Sequence, residues 1–140
     1  MVVGSRPTLD RIVRIQKQQI ELLTLKLLRI STQIEEQNFQ ILQLQQSIVD
    51  SSDNATASAW SLSNRSLWLQ QTQQHIADCR HNITQLKVEH QSVEAERQQI
   101  ERKAEATKQL LDARLQMERR ERNRVAQIEL DEIVSRRGTD

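Results

Sequence analysis

One polar segment decides the fold: Asp50-Ser51-Ser52-Asp53-Asn54-Ala55-Thr56-Ala57-Ser58. Its short side chains compete for backbone hydrogen bonds, which favours turns and helix caps over helix interiors. The only glycine and proline residues are Gly4, Pro7 and Gly138, at the two ends of the chain, where such residues mark helix termini. The sequence therefore predicts helix 1 over about 8–50, a tip over about 51–60 and helix 2 over about 60–137.

The first predicted helix carries an apolar stripe with steps of three and four residues, which is typical of a coiled coil. All but two of its positions are aliphatic, and Gln16 and Gln37 are the exceptions. Polar residues inside such a stripe can set the register of the pairing at some cost in stability. The stripe consists of Leu9, Val13, Gln16, Ile20, Leu23, Leu27, Ile30, Ile34, Gln37, Ile41, Leu44 and Ile48.

The second predicted helix has a similar stripe that weakens along the chain. It runs through Leu69, Thr72, Ile76, Cys79, Ile83, Leu86, His90, Val93, Arg97, Ile100, Ala104, Thr107 and Leu111. Beyond Leu111 it passes into Arg114, Glu118 and Arg122, and apolar residues return only at Val125, Ile128 and Ile133.

Helix lengths indicate how the two stripes meet. At about 1.5 Å per residue, helix 1 spans roughly 65 Å and helix 2 roughly 115 Å. A turn near residue 55 would place Leu9 opposite a residue near 100 and leave the last 35 or so residues without a partner in the chain. The fold class predicted is all-α, an antiparallel two-helix coiled-coil hairpin with the second helix longer than the first. An intermolecular bundle built from the same heptads is the alternative, and a monomer of elongated shape in light scattering would favour the hairpin.

Composition limits the range of functions. Charged residues make up 28% of the chain, yet the net charge is only +1, so there is no general attraction to nucleic acid or to anionic membranes. No apolar run approaches the roughly 20 residues of a membrane span. The single cysteine, Cys79, rules out a disulfide framework and favours a cytoplasmic location. We expect neither direct membrane insertion nor nucleic-acid binding.

Three local patterns suggest chemistry, but each has a simpler explanation. His75 and Cys79 have a spacing that zinc ligands use, but no second pair accompanies them, so we predict no metal site. The stretch 118–126 is similar to the basic region of leucine-zipper transcription factors, but Gln127, Glu129 and Asp131 depart from that pattern. The acidic residues in and after the stretch would also repel phosphate. There is no glycine-rich phosphate loop and no nucleophile–base pair, so we predict no enzyme, no catalytic residue and no cofactor.

Trp60 and Trp68 are close to the predicted tip. One interpretation is that they pack together and close the tip. The other is that they are exposed anchors for a partner, since tryptophan is enriched in binding hot spots.

The C-terminal stretch 115–137 resembles the end of FliJ-type proteins, the stalk of the flagellar export ATPase. In that family the last helix ends in a charged run, then Gln, Asp-Glu and paired arginines. The matching residues here are Gln127, Asp131, Glu132, Arg136 and Arg137, while Ala126 and Ile128 depart from the pattern. The injectisome stalks of the YscO/HrpO group have the same layout of a shorter helix, a polar tip and a longer helix.

The resemblance implies a non-enzymatic stalk of a type III export apparatus, peripheral to the inner membrane. Its chain ends would bind the hexameric export ATPase, and the tip region would bind the cytoplasmic domain of the export gate protein; export chaperones are further candidate partners. By resemblance, the ATPase-binding residues are Arg119, Arg122, Gln127, Asp131, Glu132 and Arg136. The gate-binding residues, by resemblance, are Trp68, Thr72, His75 and Cys79. The alternative is a general coiled-coil adaptor or chaperone escort that makes no contact with an ATPase.

Overall fold

The computed structural model describes residues 6–53 and 59–138, with the side chains of residues 53, 59 and 60 left aside. Helix α1 comprises Arg6–Asp53 and helix α2 comprises Ala59–Arg137, which are 48 and 79 residues long. The described residues contain no strand. The all-α, antiparallel hairpin with a longer second helix is confirmed. Most of the predicted tip, residues 54–58, lies outside the described residues.

The ends of the helices follow from local chemistry. Pro7 lies in the first turn of α1, where its missing N–H costs no helical hydrogen bond. In the last turns of α1 the hydroxyls of Ser51 and Ser52 donate to the carbonyls of Ile48 and Val49, at 2.9 and 2.7 Å. Such local bonds from serine hydroxyls to backbone carbonyls compete with the helical hydrogen bonds, and they favour helix ends over helix interiors. At the end of α2 the N–H of Gly138 donates to the Val134 carbonyl at 3.0 Å.

The chain divides into two compact units, and each combines a segment of α1 with a segment of α2. Unit 1 takes residues 1–21 and 98–140, and unit 2 takes residues 22–97.

Unit 2 contains two apolar clusters in which the two predicted stripes meet. One cluster has Ile41, Ile76, Cys79 and Ile83 at its centre, and the other has Leu27, Ile30 and Val93. Ile34 packs against both clusters, so they form a continuous interface. Burial of an aliphatic side chain of this size contributes about 1.5–3 kcal/mol. The interface between the helices is thus the main source of stability for unit 2.

Unit 1 pairs the start of α1 with the later part of α2. Leu9 is buried, the Gln16 amide donates to the Thr107 hydroxyl at 3.3 Å, and the Arg6 guanidinium lies 3.5 Å from the Glu118 carboxylate. This pairing is more polar than that of unit 2.

Every residue of the two predicted stripes, from Leu9 to Ile48 and from Leu69 to Leu111, is buried or half-buried. The predicted register, however, is wrong. Leu9 lies between the Arg6–Glu118 and Gln16–Thr107 contacts along α1, so it faces α2 beyond Thr107 and not near residue 100. In unit 2, Cys79 lies against Gln40. The midpoint of these two residue numbers falls several positions after the predicted turn near residue 55, so the register differs from the prediction here as well.

The shift in register has a physical reason. The stripe of α2 begins only at Leu69, because the polar residues Ser61, Ser63, Asn64 and Ser66 precede it and are exposed. The stripe of α1 continues to Ile48. Its residues therefore pair with residues farther along α2 than they would if the two helices folded back about residue 55. The stripe of α2 also extends through Leu115, which is half-buried, and not through Arg114, which is exposed. The exposed run accordingly starts at Arg119, and the expectation of 35 or so unpartnered residues is too long.

Candidate partner-binding surfaces

The last part of α2, residues 119–137, is here called the terminal segment. Each of its residues is exposed, and so is Gly138. All six residues that the resemblance assigns to ATPase binding lie in this segment: Arg119, Arg122, Gln127, Asp131, Glu132 and Arg136. The Gln127 amide donates to the Asp131 carboxylate at 3.1 Å, one helical turn away. The structure thus places the predicted set on one continuous, solvent-facing stretch of helix in unit 1.

Charge along the terminal segment alternates in blocks. Residues 119–124 are mainly basic, residues 129–132 are mainly acidic, and the last turn is basic with Arg136 and Arg137. Basic side chains in a last turn also interact favourably with the helix dipole. A partner that fits this segment would present charge of both signs in the complementary order.

One ion pair, between Glu121 and Arg124, lies within the basic block of residues 119–124. The Arg124 Nη2 and Nε atoms donate to the two carboxylate oxygens of Glu121 at 2.6 and 3.2 Å. The hydrogen bonds from Arg124, followed by its charge, lower the pKa of Glu121. The same contacts raise the pKa of Arg124. Because both groups are fully exposed, the pair stabilises the helix only slightly.

The terminal segment also displays apolar side chains. Ala126, Leu130 and Ile133 recur at intervals of four and three residues, which places them on one helical face with Val134 at its edge, while Val125 and Ile128 are exposed on the other sides of the helix. Leu130, Ile133 and Val134 are all exposed. Exposed contiguous apolar side chains rimmed by charge are typical of a protein–protein interaction site.

The four predicted gate-binding residues do not share an exposed surface. Thr72 is 7% exposed and Cys79 is 2% exposed, since both belong to the interface with α1. The Thr72 hydroxyl donates to the Trp68 carbonyl at 2.9 Å, and the Cys79 Sγ lies 3.6 Å from the Gln40 Oε1. Trp68 (37% exposed) and His75 are on the outside, and His75 lines an open groove beside Gln40 and Gln43. Only these two of the four can meet a partner while the helices are paired.

Trp68 is a partly exposed aromatic residue, as one of the two interpretations expected. The Trp60 side chain lies outside the described residues, so packing between the two tryptophans is not part of the described structure.

Sequence reasoning missed a surface on α1. Leu25, Leu28, Phe39 and Leu42 point away from α2 and are each between 61% and 64% exposed. With the polar residues Thr32 and Glu35 between them they follow steps of three and four, as the buried stripe does. We call this six-residue surface the outer face of α1. These residues form a second heptad pattern in the sequence of α1. The prediction used only the first pattern, because one apolar stripe was sufficient to predict the helix and its pairing.

Within residues 6–53 and 59–138, no three His, Cys, Asp or Glu side chains are grouped so that they could hold a metal ion. His75 and Cys79, the pair with zinc-ligand spacing, differ in their surroundings, since the thiol is buried in the interface and the imidazole is exposed. No helix among the described residues is long and apolar enough to cross a membrane.

The fold and these surfaces define a class, the two-helix coiled-coil hairpin with exposed helical faces. Protein-family models, curated proteins and solved structures contain no match to the chain.

Proposed function

We propose that the chain is the non-enzymatic stalk of a type III protein export apparatus and that its terminal segment binds the hexameric export ATPase. The observation that carries the proposal is the terminal segment itself, which is helical, exposed throughout and charged in alternating blocks. A helix that inserts into the central opening of a ring contacts several subunits at once. Blocks of both signs with apolar side chains spread around the helix suit such a neighbour, because no single large apolar contact fixes the helix in one orientation.

Gate binding, as the second part of the proposal, rests on Trp68 and His75. They are the exposed members of the four residues implied by the resemblance, and they lie in unit 2 at the start of α2. Thr72 and Cys79 would act indirectly by holding this part of α2 against α1. An aromatic anchor beside an imidazole is a reasonable contact for a protein partner.

A truncation tests the ATPase contact. A variant that ends at Glu118 keeps the Arg6–Glu118 ion pair and the half-buried Leu115, and it removes only the terminal segment. We expect the full chain to co-purify with the cognate ATPase and to raise its hydrolysis rate, and the truncated chain to do neither. Circular dichroism with thermal unfolding checks that the remaining hairpin is folded. Equal stimulation by both chains would disprove the proposed contact.

A charge-reversed variant refines the test without shortening the helix. Asp131→Lys with Glu132→Lys converts the acidic block into a basic one, whereas Lys87→Glu with Glu89→Lys changes exposed charges of α2 in unit 2. We expect the first variant to weaken ATPase binding by about tenfold or more, because like charges then face each other. The second should bind as the unchanged chain does, and equal loss in both would mean that the effect is not specific to the terminal segment.

The second candidate function is a coiled-coil adaptor or escort for export chaperones. The outer face of α1 favours it, because this apolar surface has no role in a stalk that acts only through its chain ends and tip. Affinity capture with purified ATPase and purified export chaperones separates the two candidates. Chaperone binding without any ATPase binding would support the adaptor.

A further inference from the structure

The outer face of α1 has a symmetrical arrangement. Leu25 and Leu28 form one apolar pair, Phe39 and Leu42 form the other, and the spacing within each pair is the same. The polar residues Thr32 and Glu35 lie between the pairs. Read from either end, these six residues have the same order of apolar pair, polar centre and apolar pair. Leu22, which is 66% exposed and lies one turn before Leu25, adds an apolar side chain that Gln45 at the other end does not match. All of these residues belong to unit 2, and all are exposed.

A surface of this kind is complementary to itself under a two-fold axis. When two copies of α1 run antiparallel with the axis between Thr32 and Glu35, each apolar residue meets an apolar residue of the second copy. The layers are then Leu25 with Leu42, Leu28 with Phe39, and Thr32 with Glu35, each occurring twice. Two-fold interfaces require this property, because the same patch must serve both subunits.

The charges that flank the outer face have the same symmetry. In antiparallel coiled coils the positions beside the apolar layers face equivalent positions of the other helix. On one flank this places Arg29 opposite Glu36 of the second copy, and the pair occurs twice. On the other flank Ser31 faces Asn38, so no like charges meet. Arg29 and Glu36 are both exposed and are thus available to a second copy.

A parallel arrangement lacks these features. It would place Glu35 against Glu35 of the second copy within the layers, and like charges directly opposed are unfavourable. It would also bring Arg29 opposite a threonine and Glu36 opposite a serine, so both interchain ion pairs would be lost. Charge thus selects the antiparallel orientation.

We propose that the chain forms a reversible antiparallel homodimer through the outer face of α1. The occupant of this face is a second copy of the same chain, and the hairpin of each copy stays intact. The segment from Leu25 to Leu42 is only about 26 Å long, so the interface belongs to the small, transient class. We expect a dissociation constant in the micromolar range, which makes dimerisation dependent on concentration. This association goes beyond the proposed stalk function and uses a different unit of the chain.

Charge reversal with rescue tests the dimer. Sedimentation equilibrium of the full chain from about 1 to about 300 µM should show a monomer–dimer equilibrium. Arg29→Glu places two pairs of glutamates in contact and Glu36→Arg places two pairs of arginines in contact, so each should raise the dissociation constant about tenfold or more. The double variant restores both pairs with opposite polarity and should regain most of the affinity. Lys87→Glu, an exposed substitution on α2, is the matched control and should leave the equilibrium unchanged.

The single variants change only exposed side chains, so circular dichroism should show the same unfolding temperature as for the unchanged chain. A chain that stays monomeric over the whole concentration range would overturn the proposal. So would a double variant that dimerises no better than the two single variants.

Spin labels test the orientation. A label at Gln33→Cys lies close to the two-fold axis and should be within about 20 Å of its copy, as two packed helices are 8–10 Å apart. A label at Gln46→Cys should be separated from its copy by about 37 Å along the helix. The unchanged chain is the labelling control, because Cys79 is buried and should not take up the reagent under native conditions. Short distances at both positions would indicate a parallel dimer and contradict the proposal.

The two proposals can fail independently. The truncation at Glu118 leaves the outer face of α1 intact, so it should dimerise normally while it loses ATPase stimulation. Conversely, Arg29→Glu should stimulate the ATPase as the unchanged chain does.

Discussion

Polar residues in the interface between the helices satisfy their hydrogen bonds in different ways. Thr107 accepts from the Gln16 amide and donates to the Lys103 carbonyl, at 3.3 and 2.9 Å, so it connects the two helices of unit 1. The Thr72 hydroxyl is satisfied within its own helix. The Gln37 Oε1 atom is buried in unit 2 and has no hydrogen-bond partner among the described residues. The Gln16 Oε1 atom in unit 1 is also buried and has no partner among the described residues, although the amide nitrogen of Gln16 is bonded to Thr107. A buried acceptor without a partner is destabilising, so both glutamines are weak points of the interface.

Replacing Gln37 with leucine should stabilise the chain. Gln37 lies between Ile34 and Ile41 in the stripe, so a leucine of similar size extends the apolar interface and removes the unsatisfied acceptor. We expect the free energy of unfolding to rise by about 1–2 kcal/mol in urea denaturation followed by circular dichroism. The same change at the exposed residue Gln91 should alter it by less than about 0.5 kcal/mol. A lower stability for Gln37→Leu than for Gln91→Leu would show that the glutamine has a partner.

At the scale of single residues, the sequence predicted which side chains are buried but not what they contact. Heptad spacing alone identified Gln16 and Gln37 as polar positions in the stripe. Spacing contains no information on whether such a residue meets a hydroxyl, as Gln16 does, or lines an open groove beside Asn82 and Gln85, as Gln37 does. That outcome depends on the register between the helices, which a shift of a few residues changes.

At the scale of elements, helix existence was easier to predict than helix pairing. The absence of Gly and Pro between Pro7 and Gly138 and the single polar segment were sufficient to predict two helices. The register was not predictable from the position of the turn, because exposed polar residues early in α2 leave its apolar stripe to begin only at Leu69. The terminal segment was expected to be an exposed charged stretch, but its starting point at Arg119 depended on that register.

The ion pair between Glu121 and Arg124 makes part of the terminal segment sensitive to pH. The contact lowers the pKa of Glu121 in the folded chain, so its support of the helix is fully present above the ordinary glutamate pKa and is lost as pH falls through the lowered value. We expect helicity near residue 121 to decline slightly as pH falls through the lowered pKa of Glu121, because the pair is fully exposed. In Arg124→Gln the pKa of Glu121 should return towards its ordinary value.

NMR titration of the Glu121 side-chain carboxyl measures this change. Arg120→Gln serves as the matched control, since residue 120 is adjacent in sequence and faces another side of the helix. A Glu121 pKa that responds equally to both substitutions would contradict a specific contact with Arg124.

At the scale of the whole molecule, the two units have different kinds of interface. Unit 2 holds both apolar clusters, while the described contacts of unit 1 include a hydrogen-bonded pair and an ion pair. The sequence predicted that the stripe of α2 weakens beyond Leu111, but it placed the start of α1 opposite residues near 100 and so did not predict the polar contacts of unit 1 with Thr107 and Glu118. The exposed outer face of α1 was not predicted, because a helix with two apolar stripes uses only one of them to form a hairpin.

A cross-link distinguishes the hairpin from a bundle of separate chains. Arg6→Lys places an amine close to the Glu118 carboxylate, since the two native side chains are 3.5 Å apart. Carbodiimide coupling in a mixture of isotopically light and heavy chains should give linked peptides of one isotope only, because both groups belong to the same chain. Glu118→Gln should abolish the product. Mixed-isotope peptides would indicate an intermolecular bundle.

The self-contained hydrogen bond of Thr72 affects how the two helices separate. Because its hydroxyl donates to the Trp68 carbonyl, no polar group of Thr72 depends on α1. If α1 moves away from α2 at this point, Thr72 loses apolar contact but keeps its hydrogen bond. No unpaired donor of Thr72 then adds to the free energy of separating the helices. Transient separation of the helices at Thr72 therefore costs less free energy than separation at Gln16, which breaks the hydrogen bond between Gln16 and Thr107.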